Sequence, residues 1–91
     1  MSIADTMTQK LTARFAPIRL DITDDSARHE GHAGARPGGE THFSVVIVSA
    51  AFAGLGRVAR QRLVYETLAT ELAGGVHALA LTTLAPGEER R

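Results

Sequence analysis

Two segments organise this chain: Gly39-Glu40-Thr41-His42-Phe43-Ser44-Val45-Val46-Ile47-Val48-Ser49 and Gly75-Val76-His77-Ala78-Leu79-Ala80-Leu81-Thr82-Thr83. Each follows glycine, is dense in aliphatic residues and reads as a strand with a histidine at its start. In the first, taken as 40–49, Phe43, Val45 and Ile47 share one face and His42 lies on the other. In the second, taken as 76–83, Val76, Ala78 and Ala80 line one face, small enough to let helices sit close. His77, Leu79 and Leu81 point the opposite way.

Working outward, residues 18–24 alternate Ile18, Leu20 and Ile22 with Arg19, Asp21 and Thr23, the pattern of a further strand with one buried face. Asp24 and Asp25 end it. Residues 2–15 predict a helix, with Ile3, Met7, Leu11 and Phe15 recurring every four positions, Ser2 and Asp5 spaced as a capping box, and Pro17 as the stop. Residues 25–39 form a loop with Gly31, Gly34, Pro37, Gly38 and Gly39, and with His29 and His32; so long a loop in a small domain is often functional. After a turn at Phe52 to Gly56, a second helix is expected over 57–73. Val58, Gln61, Tyr65, Leu68 and Leu72 would share its buried face, Leu63 would stand outside it as an exposed apolar spot, and Gly74-Gly75 would stop it. The residues after Pro86 read as a frayed tail, 87–91.

The resulting order is helix, strand, strand, helix, strand. This predicts an α+β domain: a three-stranded mixed sheet with helices on one face, its last strand running parallel to a neighbour through the long helical crossover. With 91 residues, 1–91 is one domain and no more. A formal net charge of zero provides no overall pull toward nucleic acid. The absence of cysteine excludes a disulfide or a catalytic thiol. Small secreted domains usually lean on disulfides, and the chain shows neither a membrane-length apolar run nor a secretory leader, so a cytoplasmic protein is expected. Nucleophile elbow, phosphate-binding loop and zinc-protease helix motifs are all missing, which argues against an enzyme.

The residues His32-Ala33, Gly38-Gly39-Glu40-Thr41-His42-Phe43, Val48-Ser49, Phe52, Arg60-Gln61-Arg62-Leu63-Val64-Tyr65, Leu68, Glu71-Leu72 and Val76-His77-Ala78-Leu79-Ala80-Leu81 together resemble the BolA family. The likeness runs from about residue 3 to residue 86. It departs at Gln61, where members often carry His, and in a short tail without the Trp that often follows the proline. The resemblance implies a class II KH-like αββαβ fold, in agreement with the element order. It also implies two activities. One is pairing with a monothiol glutaredoxin to share a bridging [2Fe-2S] cluster in iron–sulfur maturation or iron sensing. The other is DNA binding as a regulator of stress response and cell shape.

A cluster of this kind needs four ligands, and imidazole can replace thiolate on one iron. A cysteine-free chain is a poor sole owner, but it can give two imidazoles where a partner's cysteine and glutathione give sulfur. Carried over by position, His77 is the first metal ligand and His32 the second, with His29 as fallback. Taken on pattern alone, His77 is better explained as a hydrogen-bonded structural residue, and His29 and His32 as solvated loop residues. His42 is assigned a structural role.

For duplex DNA the candidates are Arg57, Arg60 and Arg62. On a helix Arg57 and Arg60 stand about 60° apart and Arg62 about 140° from Arg57, so they do not make one basic stripe. Gly54-Leu55-Gly56 falls short of the Gly-x-x-Gly clamp of KH domains. A solvated cationic face or a docking surface for a protein partner explains these arginines better than nucleic-acid binding does. The oligomeric state without a partner is open, a weak homodimer included.

Overall fold

The Ser2 hydroxyl accepts a hydrogen bond from the Asp5 N–H at 3.0 Å, and the Asp5 carboxylate accepts one from the Ser2 N–H at 3.4 Å. This reciprocal pair opens helix α1, Ile3–Phe15, as the spacing predicts. The computed structural model describes residues 2–25 and 42–88. After α1 come β1 (Arg19–Asp24), β2 (His42–Val48), a short 3-10 turn (Ala50–Phe52), α2 (Arg57–Thr67), α3 (Ala69–Gly74) and β3 (Ala78–Leu84).

The sheet order is β1-β2-β3. β1 lies antiparallel to β2, from Arg19 opposite Val48 to Asp24 opposite Phe43. β3 lies parallel to β2, from His42 opposite Ala78 to Val48 opposite Leu84. The mixed sheet expected from the crossover is therefore present, and α1 and α2 contact the outer strands β1 and β3 respectively. Met7, Leu11 and Phe15 of α1, Phe43, Val45 and Ile47 of β2, Phe52, and Val64 and Leu68 are buried together. Removing this apolar surface from water is the main stabilising term.

Four details differ from the sequence expectation. Ile18 is not a strand residue; it sits at a bend after Pro17 and is 67% exposed. β3 presents the opposite face to the helices. Leu79 and Leu81 pack against the core, while Ala78 and Ala80 are exposed. Parallel register places Leu79 beside Phe43 and Leu81 beside Val45, in rows that already face inward. Burying two leucines removes far more apolar area from water than burying two alanines, and this outweighs the closer approach that alanines allow.

The second helix is rotated and broken. Val58 and Tyr65 are 66% and 40% exposed, whereas Val64 and Leu68 are buried and Leu63 and Leu72 pack against the core. The expected apolar spot at Leu63 is thus instead at Val58 and Tyr65. The break falls at Leu68, just after Thr67, whose hydroxyl donates to the Leu63 carbonyl at 2.8 Å. Such back-bonding bends helices. Finally, order extends past Pro86: the carboxylate of Glu88, expected in the tail, accepts three hydrogen bonds, and its N–H donates to the Ala85 carbonyl.

Candidate functional site

The parallel pairing of β2 and β3 puts their starting residues side by side. His42 opens β2, and His77 immediately precedes β3, one residue before Ala78, the register partner of His42. The two imidazole rings lie 6.2 Å apart between centroids with 28° between their planes. His77 is exposed and His42 half-buried. The structure thus brings His77 together with the one histidine that sequence reasoning had set aside as structural. His29 and His32 lie outside the described residues. Among the described residues no group of three or more His, Cys, Asp or Glu side chains converges.

The mouth of the loop is tied down nearby. The Asp25 N–H donates to the His42 carbonyl at 2.7 Å, and the Ser44 hydroxyl donates to the Asp25 carboxylate. These bonds fix the end of β1 against the start of β2. They therefore fix where the segment carrying His29 and His32 leaves the sheet and where it returns, at the end that bears His42 and His77. Sequence signals for this arrangement existed: both histidines begin strands, and a parallel crossover aligns strand starts.

The arginines part company. Arg57 and Arg62 are exposed, and neither makes an ion pair among the described residues. Arg60 is committed to the far end of the sheet. Its Nε donates to the Leu55 carbonyl at 2.9 Å and its Nη1 to the Thr83 carbonyl at 3.1 Å. Its Nη1 and Nη2 grip the two Glu88 oxygens at 2.7 and 3.1 Å. Glu88 also accepts the Ala85 N–H at 2.9 Å. The Arg60 hydrogen bond and this backbone donor hold the Glu88 carboxyl down from 4.5 to about 2, and Glu88 in turn raises the Arg60 guanidinium. Above Arg62, an open groove of about 410 Å³ on α2 is lined by Val58, Gln61, Arg62, Tyr65, Glu66 and Ala69. No described helix is long and apolar enough to cross a membrane.

An α+β domain with this mixed sheet has close counterparts. The chain belongs to the BolA-like family, whose profile, described as BolA-like protein, matches residues 11–88. The DNA-binding transcriptional regulator BolA of Escherichia coli is 46% identical over 83 residues, covering 91% of this chain and 75% of that protein. The structure of BolA1 from Arabidopsis thaliana superposes with a TM-score of 0.87 at 39% identity, covering 99% of each chain. The BolA domain of SufE1 from the same plant gives 0.86 at 40% identity, covering 97% of this chain and 96% of that one. The chain spans 54% of the full-length chloroplastic BOLA1.

Proposed function

We propose that this protein is a non-enzymatic adaptor that pairs with a monothiol glutaredoxin and helps to hold and pass on a bridging [2Fe-2S] cluster. The observation that carries this reading is the His42–His77 pair at the open end of the parallel strands. The donor set fits. Imidazole nitrogens can take two positions on one iron of such a cluster, and a cysteine-free chain leaves the sulfur positions to its partner. His77 is the first ligand, exposed at a fixed point of the sheet edge. The second is His32 or His29, as the family resemblance implies, or His42, whose ring stands beside His77. The cluster is cargo held between two proteins, and its soluble home is the cytoplasm.

The test is anaerobic reconstitution of a mixture with a monothiol glutaredoxin, iron, sulfide and glutathione, followed by visible absorption and circular dichroism. A spectrum distinct from that of glutaredoxin alone, lost in His77→Ala, supports the reading. An unchanged spectrum in His77→Ala overturns the ligand assignment. Comparing His42→Ala, His32→Ala and His29→Ala identifies the second ligand.

A second reading is favoured by the E. coli relative, named as a DNA-binding regulator. In it Arg57 and Arg62 contact phosphates, while Arg60 serves the fold. Replacing each exposed arginine by alanine is then expected to lower the salt slope of duplex binding by about 1. No salt dependence would remove this reading.

A further inference from the structure

The last helix is the least self-sufficient element of the fold. α3, Ala69–Gly74, has six residues, starts at the break at Leu68 without a side-chain cap, and ends at Gly75, whose φ of 145° lies in a region that favours glycine. Helices this short are not stable by themselves. Yet α3 delivers the chain to His77, which follows directly on Gly75-Val76.

One residue of α3 holds this exit from two directions. The Glu71 carbonyl accepts the N–H of Gly75 and, at 3.2 Å, the N–H of Val76. The Glu71 side chain reaches the other way, to Lys10 of α1, whose Nζ lies 2.8 Å from Oε2 and 3.1 Å from Oε1. The carboxylate side chain is mostly buried, 9% exposed, whereas Lys10 keeps 36%. Lys10 is the only lysine of the chain. Among the described residues no other side-chain hydrogen bond joins α3 to another element. Leu72 and Val76 pack against the core on either side of the turn. Apolar burial is non-directional, so those contacts hold the turn down without fixing where it lies over the core. A charge-assisted hydrogen bond is short and directional, and supplies what they lack.

We propose that Lys10 and Glu71 are positioning residues for His77. The path between them is short. Lys10 on α1 fixes the Glu71 side chain, the Glu71 carbonyl fixes the Gly75 and Val76 amides, and His77 is the next residue. The pair thereby keeps His77 at the head of β3 with its ring beside that of His42, 6.2 Å between centroids. Breaking the pair leaves the Glu71 carboxylate without its counter-charge, so α3 shifts to rehydrate it and carries the turn along. The central strand β2, packed from both sides by its neighbours, does not follow. The use of this placement rests on the cluster reading above, in which His77 is the first ligand; the placement itself does not.

The test begins with the free chain. In Lys10→Met the Val76 amide is expected to exchange with solvent deuterium about ten-fold faster than in the native chain, while Val45 on the central strand keeps its rate. The nuclear Overhauser contact between the His42 and His77 rings is expected to weaken with it. Lys10→Arg keeps the charge and a donor and should restore both. Glu71→Gln leaves no buried charge behind and should show the same local effect, in smaller measure. Equal acceleration at Val76 and Val45 would mean that the pair holds the whole fold, and an unchanged rate at Val76 would mean that it does not hold the turn; either overturns the proposal. In the glutaredoxin complex the circular dichroism of the shared cluster is then expected to decay about ten-fold faster with Lys10→Met, as when other groups that orient a metal ligand are removed. An unchanged lifetime beside a loosened Val76 overturns the positioning role. A native chain that forms no shared cluster overturns the functional reading instead, and the exchange and ring-contact data alone decide whether the pair places His77.

Discussion

The two ends of the β2–β3 ladder use their polar side chains in opposite ways. At the far end, every guanidinium nitrogen of Arg60 is engaged, on two backbone carbonyls and on Glu88. Ser49 is buried there too: its hydroxyl donates to the Phe15 carbonyl at 2.6 Å and accepts the Ala51 N–H at 3.1 Å. These groups close the ends of α1, β2 and β3. At the near end, His77 is exposed and the His42 ring stands beside it. A side chain whose hydrogen bonds are spent on the backbone holds the fold. One that the fold does not need is available for chemistry with a partner.

That contrast can be broken by substitution. His77→Ala is expected to cause the largest change, complete loss of the shared cluster spectrum. Its unfolding free energy should move by no more than about 0.5 kcal/mol, as for other exposed positions. A large loss of stability in urea would show that the histidine serves the fold. Arg60→Ala should do the reverse. It strands two carbonyls and the Glu88 carboxylate, and should cost about 2–3 kcal/mol in denaturant melts while leaving the cluster spectrum of the folded fraction intact. Ser49→Ala leaves the Phe15 carbonyl and the Ala51 N–H without their hydroxyl and should cost about 1–2 kcal/mol by the same measurement.

The smallest effect is one of pH. Glu88 is held below its ordinary value in the folded chain, so the stability it contributes is complete above pH 4.5 and disappears as pH falls toward 2. The exposure of the Glu88 side chain lets solvent screen the pair, so the contribution is modest. Urea midpoints of the native chain and Glu88→Gln should differ by a constant amount above pH 5 and converge toward pH 2. A gap that persists at pH 2 would mean that the carboxylate charge is not what holds Arg60.

Much of this was legible in the residues. The Ser2–Asp5 box, the Met7-Leu11-Phe15 stripe, the Phe43-Val45-Ile47 face and the Gly74-Gly75 stop each depend on neighbours within a turn or along one strand. Local geometry therefore fixes them. Where an element touches several others at once, the reading failed. Small alanines argued for a helix-facing side of β3, but the parallel register with β2 set the leucines inward. Val58 and Tyr65 read as core, yet α2 is turned so that Arg60 reaches the Leu55 and Thr83 carbonyls. The candidate site shows the same division. His77 and His42 were each legible at a strand start, but that their rings stand side by side was not, because the two lie 35 positions apart in the chain.

The sequence by itself determined the element order, the mixed sheet, the family and the histidine at the head of the last strand. Hydrophobic period and capping chemistry are local, and the family phrases are written in consecutive residues. Only the tertiary structure decided which faces of α2 and β3 are buried, that Arg60 and Glu88 lock the far end, and that His42 stands beside His77. Each of these depends on the register between strands and on the rotation of a helix over them. Those are set by the sum of contacts across the whole domain, which no single segment contains.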